Sequence, residues 1–316
     1  MIAGDLPDIS DFMSVPSLKV HAPTPLVIVC GGKTEIDFNK PLLSLRDAFM
    51  RISTKGRLAK FDIRIAEDLV RLPQAGYDDL LQLEADLSQL SELVMLFTES
   101  AGSFTELGIF SMDDEISPSL FVIVDRYNYL KDSFIRRGPL DYLSKKFGEH
   151  TVCVIDLVEH GSERIENVQT LDQDKFEKFI ERKIFERLSS RPEPRTFLKA
   201  RSGHLIKLMT GLIQNYASLT YDEIKRILVA IEIDEPDDKI RRLLGCAELF
   251  KWIKIEKNGT RTFYSALPGT IAVQFEIREG IGKVNRRDWR SAVREYWKEE
   301  DPDRFKCISS AAGGAI

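Results

Sequence analysis

Five short apolar runs in the first half of the chain are the feature that most constrains its fold. The runs are residues 26–30, 60–65, 93–97, 120–124 and 151–155. Each is rich in valine and isoleucine, and 20 to 35 residues separate one run from the next. Continuous apolar strands with helix-length spacers are typical of a parallel sheet with helices on both faces. The pattern predicts an α/β fold with a doubly wound, five-stranded parallel sheet.

A length of 316 residues suggests about two domains, and the character of the sequence changes after Ile155. Lys175 to Lys207 contains ten basic side chains around an apolar helical stripe, which indicates a basic helix between the domains. We therefore predict an irregular segment at 1–24, a sheet domain at 25–157, a basic helical connector at 158–200 and a second domain at 201–316.

The second domain has the pattern of a winged helix. Helical periodicity covers 205–216, a capping-box pattern at Thr220 and Glu223 begins a second helix, and 236–249 gives a third. Two strand-like runs then meet at Asn258-Gly259, a strong hairpin signal. Three helices and a two-stranded wing are expected, followed by a C-terminal helix and tail.

The charge is divided unevenly between the two halves. The whole chain has a formal net charge of −5, which is too mild for a protein that coats nucleic acid. Residues 1–157 carry 16 basic and 24 acidic side chains, whereas the remainder carries 29 and 26. The two halves are therefore expected to meet different partners.

Neither a membrane location nor a metal site is indicated. The first residues are acidic where a signal peptide is basic, and no apolar run approaches the roughly 18 residues that span a bilayer. The four cysteines lie far apart without a CxxC pair, and the four histidines lack ligand spacing. We expect a soluble, cytoplasmic protein without a metal.

Ligands of open parallel sheets bind at the carboxyl ends of the strands, so the residues that follow each run are the candidate binding residues. They are Cys30, Gly31, Gly32, Asp68, Glu99, Ser100, Gly102, Ser103 and Asp125. Each also has a simpler interpretation, because a glycine turn, a solvated loop acid or an ordinary turn needs no ligand.

Glu106 is the strongest candidate for chemistry. It follows a buried strand and a glycine turn, and it is expected near the start of a helix. There the positive end of the helix dipole would keep a carboxylate ionised, able to attack or to stabilise a cation. The alternative is structural, with Ser103 capping the helix and Glu106 completing a capping box.

The sequence resembles a known superfamily at this segment. Residues 102–108, GSFTELG, match the signature of the nucleoside 2-deoxyribosyltransferases, in which a glycine and a hydroxyl residue precede the nucleophilic glutamate. More specifically, the chain resembles the effector proteins of retron anti-phage systems that join such a domain to a C-terminal helix-turn-helix. The shared stretches are 27–32, 66–69, 80–84, 96–111 and 133–139.

The resemblance implies cleavage of an N-glycosidic bond in a nucleotide, with NAD as the expected substrate rather than a cofactor. Glu106 would be the nucleophile, and Glu84 would bind ribose hydroxyls or assist the leaving base. A base that leaves only after protonation would need Glu84 or Glu99 as the acid. The family usually has an aspartate near Ser100, whereas here Glu99 falls one residue earlier, which leaves base recognition open.

The same resemblance implies partners: a reverse transcriptase, its RNA-linked DNA and further copies of the chain. Cations of the second domain could contact nucleic acid, namely Lys239, Arg241, Arg242, Lys254, Lys257 and Arg261. Acids crowd residues 234–238, however, and fit docking on a basic protein instead. A rival interpretation is a transcriptional regulator that senses a nucleotide without turnover.

Overall fold

A computed structural model describes residues 8–35, 37–67, 80–190, 196–278 and 285–313. These residues form two compact units. The sheet unit contains the described residues from 25–67 and 80–190, and the helical unit contains those from 8–24 and 196–313.

The N-terminal segment, which the sequence predicts to be irregular, contains ordered elements of the helical unit. Helix α1 spans Ile9–Phe12, and strand β1, Lys19–Val20, pairs antiparallel with Val273–Gln274. Met13 and Leu18 are fully buried. Such apolar side chains hold the segment in place although it lacks a clear period.

The sheet unit contains the five predicted strands in a parallel sheet. They are β2 (Leu26–Cys30), β3 (Asp62–Ile65), β4 (Leu93–Phe97), β5 (Leu120–Asp125) and β6 (Val152–Ile155). Their order is β3-β2-β4-β5-β6, so the chain runs to one side after β2 and to the other side after β3. The strand order therefore reverses between β2 and β4, where sheets of this type hold ligands.

Helices cover the sheet, as expected for a doubly wound fold. Those described are α2 (Leu45–Ile52), α3 (Leu80–Leu90), α4 (Ala101–Met112), α5 (Arg126–Leu130), α6 (Asp141–Phe147) and α7 (Gln173–Ser190). One core joins α2 and α7 to alternate strand residues such as Val29 and Phe97. Helix α4 contacts β4 and β5, and its buried Leu107 and Phe110 lie outside that core.

Helix α7 belongs to the sheet unit, although its sequence predicts a connector. Phe176, Ile180 and Ile184 are each at most 1% exposed and pack into the core beneath the sheet. Its basic residues Arg182 and Lys183 lie within ion-pair distance of Glu186 on the outer side, whereas Arg187 is buried and donates to the carbonyl of Pro118. The apolar stripe of the predicted connector helix is therefore a packing surface of the sheet unit.

The helical unit has α-helices on a small antiparallel sheet. Its further elements are α8 (Ser202–Tyr216), β7 (Ser218–Thr220), α9 (Tyr221–Ala230), α10 (Asp237–Leu249), β8 (Ile253–Asn258), β9 (Arg261–Ala266), β10 (Val273–Gln274), α11 (Arg286–Glu300) and α12 (Pro302–Ala311). The sheet order is β7-β9-β8. The predicted hairpin is present, with Asn258 paired to Arg261 and Gly259 at a φ of 63°. The capping box at Thr220 and Glu223 is also confirmed.

Two further features concern the described chain as a whole. Cys30, Cys153, Cys246 and Cys307 are buried and form no disulfide bond. None of the helices formed by the described residues has both the length and the apolar character that crossing a bilayer requires.

Candidate functional site

The candidate site is at the carboxyl ends of β2, β3 and β4, around the reversal in strand order. The turn after β2 begins at Gly31, Glu67 follows β3, and the turn after β4 contains Glu99. Parallel strands end at one edge of the sheet, so residues distant in sequence meet there.

Glu99 binds backbone N–H groups of two segments. Its Oε1 accepts hydrogen bonds from Gly32 N at 3.0 Å and Arg46 N at 3.1 Å, and its Oε2 accepts one from Leu45 N at 2.7 Å. Leu45 and Arg46 open α2, whose first N–H groups have no partner within the helix. We call this arrangement the Glu99 clasp.

The environment of Glu99 acts on its proton affinity in two directions. Burial raises the pKa of the carboxyl above its usual range and is the largest influence. The three backbone donors and the charge of Arg46 act against it, because they favour the ionised form. Both carboxylate oxygens of Glu99 thus accept hydrogen bonds from the protein itself. The predicted contact of Glu99 with substrate stays a prediction.

The turn of Cys30, Gly31 and Gly32 packs closely against the neighbouring strand. Gly31 has a φ of 145°, and a Cβ there would lie 2.8 Å from the Cβ of Phe97. A Cβ on Gly32 would lie 2.8 Å from Glu99 Oε1. Because Cβ atoms do not approach so closely, glycine is required at both positions by packing alone. Contact of this turn with a ligand stays a prediction.

Helix α4 begins three residues earlier than the structural alternative assumed. Ser100 is the N-cap, and its Oγ accepts from Ser103 N at 3.2 Å. Ser103 Oγ accepts from Glu99 N at 3.0 Å and from Ser100 N at 2.9 Å. The predicted capping box of Ser103 with Glu106 is therefore wrong: the box is formed by Ser100 and Ser103, since the chain turns into the helix directly after β4. Gly102 is exposed in the first turn.

Glu106 lies in the second turn of α4, beyond the free N–H groups of the helix start. Its Oε2 is buried and makes no hydrogen bond to the described part of the protein. Burial is the main cause that raises the pKa of Glu106; the charge of Glu67 raises it further, and Arg46 opposes both. The Glu106 carboxylate therefore lies in a partly buried environment, where the anionic Glu67 and the cationic Arg46 both act on it.

Arg46 and Glu67 form an ion pair that sequence reasoning missed. Arg46 Nη1 and Nη2 bind the two Glu67 oxygens at 2.7 and 2.8 Å. The arginine side chain is 4% exposed, whereas the glutamate side chain is 54% exposed. The position of Glu67 just after a strand was a usable signal, but nothing in the spacing pointed to Arg46.

Asp125 caps α5 at the end of β5. Its carboxylate accepts hydrogen bonds from Asn128 N at 3.0 Å and Asn128 Nδ2 at 2.5 Å. It also lines a cavity of about 700 Å³ with neighbours that include Tyr127, Asp156 and Arg164. Capping explains this aspartate, and its predicted contact with substrate stays a prediction.

Two predicted site residues cannot be placed. Asp68 and the side chain of Glu84 lie outside the described residues, although the backbone of Glu84 is part of α3. Within the described ranges, no group of three or more histidine, cysteine, aspartate or glutamate side chains could hold a metal ion.

Three of the six cations predicted to contact nucleic acid have acidic partners inside the helical unit. The pairs are Lys239 with Glu235, Lys254 with Glu256 and Arg261 with Asp301, at 3.0, 3.0 and 2.7 Å. The guanidinium of Arg241 lies 3.8 Å from the ring centre of Tyr221. Arg242 is half-buried and Lys257 is exposed. A phosphate would thus compete with carboxylates for three of these cations.

Fold and site together define an α/β protein that gathers acidic and basic groups at the carboxyl edge of a parallel sheet. The chain belongs to the family described as STM3845 retron effector protein, whose model matches residues 42–255. The matched range includes Arg46, Glu67, Glu99 and Glu106. Because the chain belongs to this family, the protein is a retron effector.

Two curated relatives from Escherichia coli match shorter stretches. "Retron Ec86 putative ribosyltransferase/DNA-binding protein" is 42% identical over 100 residues, which is 30% of this chain and 32% of the relative. "Retron Ec73 putative ribosyltransferase/DNA-binding protein" is 35% identical over 69 residues, 22% of each chain. The matched stretches span less than a third of either relative.

Proposed function

We propose that this retron effector is an N-glycosidase that cleaves the bond between sugar and base in a nucleotide, with NAD as the substrate. The observation that carries the proposal is the Oε2 of Glu106 at the reversal in strand order, which is buried and has no hydrogen-bond partner among the described residues. The names of the relatives, which refer to ribosyl transfer, support the same class of reaction.

The chemistry fits a buried carboxylate. Breaking a bond between sugar and nitrogen creates positive charge at C1′, which an adjacent carboxylate can stabilise or trap covalently. Burial strengthens this attraction because little water screens it. Glu106 has to be ionised to act, so turnover should fall as the pH drops through its raised pKa.

NAD suits the groups at the site. Nicotinamide leaves from a cationic nucleotide and needs no proton, whereas a neutral purine or pyrimidine needs a general acid. Burial raises the pKa of Glu99, but both of its oxygens already accept backbone hydrogen bonds, which leaves neither oxygen directed at a leaving base. Both oxygens of Glu67 are bound by Arg46, so Glu84 remains the candidate acid if a base other than nicotinamide is released.

Turnover of NAD by the purified protein tests this function. Nicotinamide and ADP-ribose should appear, and Glu106→Gln should lower the rate by about a thousandfold or more, because an amide can neither attack nor neutralise the cation. Glu159→Gln is the matched control, since Glu159 is an exposed acid of the same unit. Turnover retained by a folded Glu106→Gln protein would overturn the role of Glu106.

The nucleotide pool of cells that express the protein alone tests the substrate. Loss of NAD is expected in these cells. In infected cells, the same loss of NAD is expected to end viability during phage infection. If NAD stays level while a free purine or pyrimidine base accumulates, the substrate assignment is wrong. The absence of any cleaved nucleotide would favour the rival regulator that binds without turnover.

We further propose that α8 to β9 form a winged helix and that this region associates with the reverse transcriptase and RNA-linked DNA of the retron, in an assembly with several copies of the chain. The order of three helices and a hairpin supports the winged helix. The relatives' names refer to DNA binding. The paired state of Lys239, Lys254 and Arg261 predicts a modest phosphate contact.

A further inference from the structure

We propose that Glu99 is a positioning residue: it holds Arg46, and through Arg46 the carboxylate of Glu67, in place beside Glu106. This inference rests on the proposed function for its turnover measurement. Its structural measurements are independent of any reaction.

The first step is the reach of the Glu99 clasp. The carboxylate of Glu99 binds Gly32 after β2 and the first two residues of α2, while its own N–H donates to Ser103 Oγ in α4. One residue thus ties three segments of the site together. The close approach of Gly32 to Oε1 gives the clasp little room to shift.

The second step concerns the backbone of Arg46. Its N–H is one of the three donors, and its guanidinium reaches Glu67. A cation in the first turn of a helix faces the positive end of the helix dipole, which disfavours it. The carboxylates of Glu99 and Glu67 offset that penalty, so the position of this buried arginine depends on both.

The third step connects Arg46 with the carboxylate of Glu106. The charged groups that act on Glu106 are Glu67, from the residues after β3, and Arg46, from α2. Arg46 lowers the pKa of Glu106, while Glu67 raises it. If Arg46 moves away, Glu106 should hold its proton more tightly and be ionised over a narrower pH range.

Glu99→Gln is the informative change because it keeps the shape of the side chain. Its NH₂ group must face either Leu45 N–H or the N–H groups of Gly32 and Arg46, which places donor against donor. The sign of the effect separates two explanations. Loss of a negative charge by itself would lower the pKa of Glu106, whereas displacement of Arg46 would raise it.

The experiment follows the titration of Glu106 by carboxyl NMR and the acid limb of NAD turnover in the full chain. Wild type, Glu99→Gln, Arg46→Met and the double variant are compared, with Glu159→Gln as the control. The titration and the acid limb should move to higher pH in both single variants, and the double variant should match Arg46→Met rather than add to it.

Two results would overturn the inference. The first is a Glu106 titration that moves to lower pH or stays unchanged in Glu99→Gln, even where the amides of Leu45 and Arg46 exchange faster. The second is an additive effect in the double variant. If Glu99→Gln does not fold, an unchanged titration of Glu106 in Arg46→Met would also overturn the inference. A wild type without NAD turnover would refute the proposed function instead, and the NMR titration would still decide the role of Glu99.

Discussion

Glu106 shows how a single side chain at the site departs from ordinary protein chemistry. Most buried polar atoms have a hydrogen-bond partner, because leaving one without a partner costs about 1–3 kcal/mol. The buried Oε2 of Glu106 has none within the described residues. Functional sites often carry such a loss of stability, because a group that must bind a ligand is left without a partner in the protein.

This cost leads to a prediction about stability. The pKa of Glu106 is raised in the folded state, mainly by burial, above its ordinary 4.5. The folded state therefore favours the protonated acid, and ionisation destabilises it as the pH rises through the folded pKa. Glu106→Gln should unfold at a higher temperature than wild type at pH 7, and this advantage should disappear below pH 4.5. Thermal unfolding at both pH values measures it; a difference that is independent of pH would contradict the burial argument.

The role of a residue was harder to predict than its location. Sequence placed Glu99 at the correct edge of the sheet, but its hydrogen-bond donors come from Leu45 and Arg46, which no local pattern connects to it. The pair of Arg46 and Glu67 likewise depends on β3 lying beside β2, which the spacing of strands does not reveal.

Helix α4 is the element that carries the site, and its start is unusually dependent on serine. Ser103 Oγ accepts from two backbone N–H groups, those of Glu99 and Ser100, whereas Ser100 Oγ accepts from that of Ser103. The cap therefore joins the end of β4 to the first turn of the helix.

Ser103→Ala should destabilise the protein more than Ser100→Ala. Loss of a capping side chain costs about 0.5–2 kcal/mol, and the Ser103 change leaves two N–H groups without their acceptor. Urea unfolding measures both variants, with Thr105→Ala as the control, since Thr105 is exposed in the same helix and its Oγ1 bonds only the preceding turn. Equal costs for the two serines would show that the bonds from Glu99 and Ser100 contribute little.

Strands were predicted well and helix starts less well, for a physical reason. Each predicted strand from 26–30 to 151–155 overlaps an observed one. The inner strands β2, β4 and β5 are buried along their whole length and therefore show as apolar runs, whereas the outer strands β3 and β6 are only partly buried. The start of α4 is ambiguous because Ser100 and Ser103 both satisfy the rules for a cap, and only the position where β4 ends decides between them.

The whole molecule combines two units of different charge character, and several cations of the helical unit are paired with carboxylates of the same unit. Arg261 is bound by both oxygens of Asp301, while Lys257 on the same hairpin is exposed. The basic excess of the sequence therefore overstates the charge that a nucleic acid would meet.

Binding of the retron's RNA-linked DNA should weaken with salt, because each neutralised phosphate releases counterions. Charge reversal at Arg241, Arg242 and Lys257 should weaken binding and reduce the salt slope by about one for each phosphate that is no longer neutralised. Turnover by the free protein should stay unchanged. Affinities measured at several salt concentrations test this. An association that survives nuclease and has the same affinity at low and high salt would indicate docking on protein instead.

All four thiols are buried, and each unit contains two of them, so their labelling can report the opening of each unit. Cys30 and Cys153 lie in the sheet unit, and Cys246 and Cys307 lie in the helical unit. Burial raises the pKa of Cys153 to about 12, so almost no reactive thiolate forms at neutral pH while the unit stays closed. A maleimide added to the native protein should therefore label each cysteine at the rate at which its surroundings open. Mass spectrometry of the labelled peptides would then time the opening of the two units separately in one unmodified chain.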